Sequence, residues 1–258
     1  MAIGFRAATN GTAAAADPVA AIALPTGTLA GDMVGIFLSL KLSTTTIAAQ
    51  PTSWQDPANN ETTGGNGADG ADSGLVRVAS WWREYDGAWA MPTVDLSGVP
   101  NVTAFSAMSF SKGAGEVWSP VTCADAADLT GSATLYDPPA AAVDLSLDTN
   151  DWLISHTGIN GDAGTPTVPG TVTATGATLA AATNQINLSS TTGNDIRQLA
   201  QRQLVTAGPS SAGPDISIVY TTGAATMAGA TIFSRLRVTT PAATIRQPHF
   251  NSPYMGRW

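Results

Sequence analysis

The chain has 258 residues, of which 12% are charged and 43% hydrophobic, with 26 Gly, 16 Pro and a net charge of −8. Charge this sparse among recurring apolar runs excludes a disordered polyelectrolyte, and the absence of A/E/K/L/R heptads excludes a coiled coil or helical bundle. A single cysteine excludes a disulfide scaffold, and the acidic balance excludes a basic nucleic-acid binder.

In chain order, the N-terminal stretch carries one Arg and no sustained apolar run, so it reads as no signal peptide. The longest apolar run, Met33 to Leu38, is too short to cross a bilayer. Pro25 to Asp32 predicts a tight turn. Gly27 and Gly31 are expected at positive φ, and Asp32 is expected to accept hydrogen bonds from nearby amides. A strand follows over Met33 to Leu42. Pro51-Thr52-Ser53-Trp54 predicts a second turn, with Trp54 closing one end of the core. Asp56 to Gly74 reads as a long, oxygen-rich loop. The strand Leu75 to Tyr85 turns Trp81 and Trp82 to opposite faces, and Val102 to Ser111 puts Val102, Ala104, Ser106, Met108 and Phe110 on one face. Val117 to Asp144 is the nearest thing to a divider between two halves. Further strands are predicted at Trp152 to His156, Arg197 to Val205, Ile216 to Tyr220 and Ala230 to Val238. Asp195 to Leu204, the best helical candidate, reads as a strand from its Arg/Gln alternation.

Short strands separated by Gly, Pro, Asn and Asp clusters argue for an all-β fold. Two stretches repeat in order: Asp151 follows Asp32 by 119 residues, and Ala228 to Phe233 follows Phe105 to Phe110 by 123. The expected architecture is a jelly-roll-like antiparallel β-sandwich over residues 1–238. Its pseudo-repeats fall at about 20–115 and 140–238, and an extended C-terminal arm covers 239–258. Two small sandwiches are the alternative.

The grammar Pro25-Thr26-Gly27-Thr28-Leu29-Ala30-Gly31-Asp32, then Pro51-Thr52-Ser53-Trp54, then the aromatic strand Arg77 to Arg83, then a second Asp-led strand with its own Pro turn, resembles β-sandwich virion proteins of tailed bacteriophages, of the minor tail or fibre type. The resemblance covers about residues 20–240 and implies no catalytic residues. It implies a non-enzymatic structural protein of the virion, whose partners are other virion proteins and copies of itself, with a trimer as the analogy. Capsid decoration or head-spike placement is one alternative; a host-receptor or glycan-binding module is another.

Candidate chemistry is thin. A catalytic His156 would want a nucleophile and a carboxylate near it, but Ser155 faces the opposite side of the strand, so His156 reads as a strand-end histidine. Cys123 reads as an inert thiol. Two histidines and one cysteine make a zinc site improbable, so no metal and no cofactor are expected. Asn66, Asp69 and Asp72 offer oxygens without the spacing of a calcium loop, leaving them as surface recognition residues alongside Trp81, Trp82 and Trp89. Glu116, Asp125, Asp128 and Asp137 do not fix a paired-carboxylate geometry.

The tail is the most informative segment. Residues 235–258 hold Arg235, Arg237, Arg246 and Arg257 and no acid, a charge of +4 against −12 for residues 1–234. Pro241, Pro248 and Pro253 bar regular structure, yet apolar anchors persist. Arg246, Phe250, Tyr254, Met255, Arg257 and Trp258 are therefore expected to dock on an acidic neighbour. Packing back on its own domain is the alternative.

Overall fold

The computed structural model describes residues 3–11, 18–42, 46–66, 75–100, 102–132, 135–136, 145–160, 168–189, 196–208, 215–221 and 227–241. Among them there is no helix. The first half holds β1 (Gly4–Asn10), β2 (Met33–Leu42), β3 (Ile47–Ala49), β4 (Glu61–Asn66), β5 (Leu75–Glu84), β6 (Asp95–Leu96) and β7 (Val102–Ser111). A short β8 (Val117–Trp118) leads into β9 (Thr122–Ser132), β10 (Leu135–Tyr136), β11 (Trp152–Asn160), β12 (Thr171–Ala174) and β13 (Thr178–Leu179). The chain continues through β14 (Thr183–Ser189), β15 (Ile196–Ala207), β16 (Ile216–Thr221), β17 (Met227–Leu236) and β18 (Val238–Thr239).

Two antiparallel sheets form the body. The first runs β1-β7-β2-β5-β4, and the second runs β9-β17-β11-β15 with β14 outermost on β15. Taking each half's strands in chain order as first to fifth, both sheets have the order first, fifth, second, fourth, third. They lie face to face with the order reversed, β4 over β9 and β17, β2 over β11, and β1 over β14. The result is an all-β sandwich in which each half supplies one sheet. Ladder registers correct the second sequence offset. Met33 pairs with Phe110 and Trp152 pairs with Leu236, so the counterpart of Phe110 is Leu236, 126 residues on, and not Phe233.

Three cores follow from the strand alternation. Between the sheets lie Met33, Phe37, Val76, Val78, Trp82, Met108 and Phe110 from the first half, with Ile154, Ile186, Ala200, Ile232 and Leu236 from the second. The opposite face of β2, carrying Val34, Ile36, Leu38 and Leu40, is covered by Val19, Trp54, Val94 and Leu96. The outer face of the second sheet, with Leu153, Leu199 and Phe233, is covered by the small sheet β10-β16-β12 through Tyr136, Val172, Ile218 and Tyr220. Strands buried on both faces read as near-continuous apolar runs, as Met33 to Leu38 does. Val117 to Asp144 is accordingly no divider, since β9 within it is the outer strand of the second sheet. Trp54 belongs to the cover of the first sheet rather than to an end of the central core.

The inner ladders, β2 with β5 and β7, and β11 with β15 and β17, keep unbroken register. The ladder of each outer strand, β1, β4, β9 and β14, is interrupted by a bulge. At β4 the interruption falls at Gly64 and Gly65, where the chain touches the facing sheet. A Cβ on Gly64 would stand 1.8 Å from the Gly229 carbonyl oxygen, so only glycine fits there.

Candidate functional site

The central strands β2 and β11 stack in parallel. Ser39 Oγ lies 3.0 Å from His156 Nε2, and a Cβ on Gly158 would lie 3.1 Å from the same oxygen. Ser80, the ladder partner of Phe37, has its Oγ 3.0 Å from His156 Nδ1, while Val76, the ladder partner of Lys41, has its Cγ1 2.8 Å from where a Gly158 Cβ would lie, so the two strands run the same way. Both begin at one end of the sandwich, and each is opened by the same turn. In the first, the Asp32 amide donates to the Leu29 carbonyl at 3.0 Å, and the Leu29 amide donates to Asp32 Oδ2 at 2.8 Å. In the second, Asp151 and Asp148 repeat both bonds at 3.0 and 2.8 Å. The third turn residue has positive φ in each, 92° at Gly31 and 76° at Asn150. Gly27 also has positive φ, 79°, as the turn chemistry predicts.

Asp32 and Asp151 are buried, and buried carboxylates need hydrogen-bonded counter-charges. Arg6 Nε meets Asp32 Oδ2 at 2.7 Å. Arg237 grips Asp151 with Nε to Oδ1 at 2.8 Å and Nη2 to Oδ2 at 2.6 Å, and also reaches Asp148 Oδ2 at 2.6 Å. The Asp151 hydrogen bonds raise the Arg237 pKa further above its ordinary value. A hollow of about 450 Å³ opens here, lined by Asp148 to Asp151 and Arg237 to Thr240. Ile3 lies at the same end, its carbonyl accepting from Trp152 Nε1 at 2.9 Å. The described residues end beside the hollow, at Pro241 after β18.

The four arginines of residues 235–258 divide between the body and the arm. Arg235 donates to the Ser146 carbonyl at 2.7 Å and Arg237 is paired as above, so both serve the body. Only Arg246 and Arg257 remain for the arm. Arg246, Phe250, Tyr254, Met255, Arg257 and Trp258 lie outside the described residues, as do Asp69, Asp72 and Asp137. Asn66 ends β4, and its side chain is not among those described. Among the described residues, no three His, Cys, Asp or Glu side chains cluster to hold a metal ion.

The aromatic expectation holds in geometry and fails in exposure. Trp81 and Trp82 do face opposite ways, but into the cover and the central core, 2% and 0% exposed. Neither offers a surface for sugar stacking, because layers cover both faces of β5. Of the three tryptophans expected at the surface, Trp89 alone is partly exposed. It meets Tyr85 and Trp54 edge-on at 4.9 and 5.2 Å, with the Arg83 guanidinium 5.2 Å from its ring centre.

His156 is corrected from strand end to mid-strand, fully buried in the central core. Ser39 Oγ and Ser80 Oγ each lie 3.0 Å from one of its ring nitrogens. Gln198 Nε2 lies 3.2 Å from His156 Nε2 and donates to the Phe37 and Ala104 carbonyls at 3.0 Å each, while its Oε1 accepts from Ser106 Oγ at 2.6 Å. Burial pushes the His156 pKa down to about 3, so the ring is neutral. A serine–histidine contact sealed from solvent cannot meet a substrate; this network ties the two sheets together. Cys123 is likewise buried, with Sγ 3.3 Å from Ser234 Oγ, and desolvation pushes its pKa up to about 12. Asp125 and Asp128 lie three apart in the part of β9 whose register is unbroken, Thr122 to Asp128, and so face opposite ways. Glu116 closes a local turn by accepting from the Gly113 amide at 2.8 Å.

One further cationic side chain has no signal in the sequence. Arg202 lies between the rings of Phe5 and Trp152, 4.6 Å from each centre, which no sequence spacing connects. The chain matches no known protein family, no curated protein and no solved structure.

Proposed function

We propose that this chain is a non-enzymatic structural protein of a bacteriophage virion, carried on the tail as a minor tail or fibre protein and fastened through its C-terminal arm. The observation that carries the reading is the end of the sandwich where the two Asp-led turns of the resemblance sit together. There, Arg237 and Asp151 brace the body beside the last described residues of the chain. The serine, histidine and cysteine with chemical potential are inside the body, in line with a scaffold. Its partners on this reading are other virion proteins and further copies of the chain, with a trimer as the arrangement. Such contacts gain strength from many copies rather than from any one site.

The test is a chain lacking Pro248 to Trp258. Particles assembled with it should lack the protein while its circular dichroism and melting match the full chain; normal incorporation would overturn the arm. Imaging of intact particles distinguishes tail from the capsid-decoration or head-spike alternative. The joint exposure of Trp89, Tyr85 and Arg83 favours a second reading, a host-glycan module. That reading predicts saturable glycan binding lost in Trp89→Ala.

A further inference from the structure

Lys41 and Asn160 sit at inward positions near the far ends of β2 and β11, 0% and 1% exposed. The parallel stacking fixes how they face. Ser39 stands across from His156 and Gly158, with its Oγ 3.0 Å from the ring and 3.1 Å from where a Gly158 Cβ would lie. Both strands run on in unbroken ladders, Lys41 paired with Val76 and Val102, and Asn160 with Ile196 and Ala228. Two residues beyond Ser39, alternation returns each side chain to the space between the sheets, and Lys41 lies across from Asn160. A primary amine and a carboxamide are thus held at the same level of a closed core, one from each half of the chain.

That pair is the reactant set for an amide bond. We infer that Lys41 Nζ is joined to Asn160 Cγ, clamping the central strand of one sheet to the central strand of the other. In its uncharged form the amine nitrogen adds to Cγ, the Cγ–Nδ2 bond breaks, and one amine proton leaves with the departing nitrogen as ammonia. No electrons are exchanged and no co-reactant is consumed. Fixed proximity can supply effective molarities on the order of 10⁵ M and above for well-oriented groups, which replaces the catalysis that an intermolecular reaction would need. The product is a neutral amide, where the separate lysine would place an ammonium in a low-dielectric core. The inference does not depend on the virion reading.

Mass spectrometry of the full chain, unfolded after purification, decides it. The expected mass is lower than the sequence mass by about 17 Da, one ammonia, and proteolysis should release a single branched peptide carrying both Lys41 and Asn160. Asn160 precedes Gly161, and ring closure at an Asn–Gly step also sheds ammonia without joining two segments. Lys41→Arg separates the two routes: it should restore the full sequence mass. Survival of the ammonia loss in Lys41→Arg, or recovery of Lys41 and Asn160 on separate peptides from the folded wild-type chain, would overturn the bond. The wild-type peptide map stands alone if the variant does not fold.

Discussion

His156 makes the stability of this protein depend on pH in a calculable way. The unfolded ring takes a proton near its ordinary pKa of 6.5, whereas the folded ring resists it down to about 3. The folded pKa of this base is depressed, so its contribution is complete above 6.5 and is lost as pH falls toward 3. Each unit costs about 1.4 kcal/mol, so pH 5 should remove about 2 kcal/mol, with a ceiling near 5 kcal/mol over the whole interval. The assay is urea denaturation of wild type and His156→Gln at pH 7.5 and pH 5. Other titrating groups act in both proteins, so the difference between the two pH responses isolates the ring. Wild type should lose about 2 kcal/mol more than the variant. Equal losses, or a His156 ring resonance titrating near 6.5 in the native protein, would refute the argument.

Three further outcomes test the packing and the turns. Gly229→Ala would place a Cβ 2.1 Å from the Gly158 carbonyl oxygen and 3.0 Å from Ile159 Cα, backbone that cannot swing aside. It should cost about 3 kcal/mol or more, seen as a lowered melting temperature, and an unchanged melt would contradict the close approach. Gly27→Ala, with open space but φ of 79°, should cost only about 1 kcal/mol. Cys123 should not react with a thiol reagent at pH 8 until urea unfolds the chain; rapid native labelling would place the thiol at the surface.

Much of the fold was legible because strand alternation is a local signal. Val102 to Phe110 turns the predicted face to the central core, Met33 to Leu42 is a strand over the predicted span, and Asp32 accepts the amide its turn chemistry requires. Asp195 to Leu204 is largely strand, as its alternation indicates. What failed was information that belongs to the layers. Trp81 and Trp82 alternate correctly, yet nothing in their neighbourhood says that covering segments such as Val19, Trp54 and Val94 bury the outer face. Ser39, Ser80 and Gln198 meet His156 from 117, 76 and 42 residues away, so the polar network has no sequence pattern. The shift of the second repeat from 123 to 126 residues arises because small residues such as Ala and Gly align at several registers, and only the ladders select one.

The interrupted ladders of the outer strands bear on how many copies can live close together. A straight, unpaired strand margin invites a neighbouring chain to continue the hydrogen-bond ladder; kinked margins on both sheets deny it a template. Crowding this protein at high local concentration should therefore not seed fibres, and neighbours will meet through side chains, whose contacts can be set and released by sequence and salt.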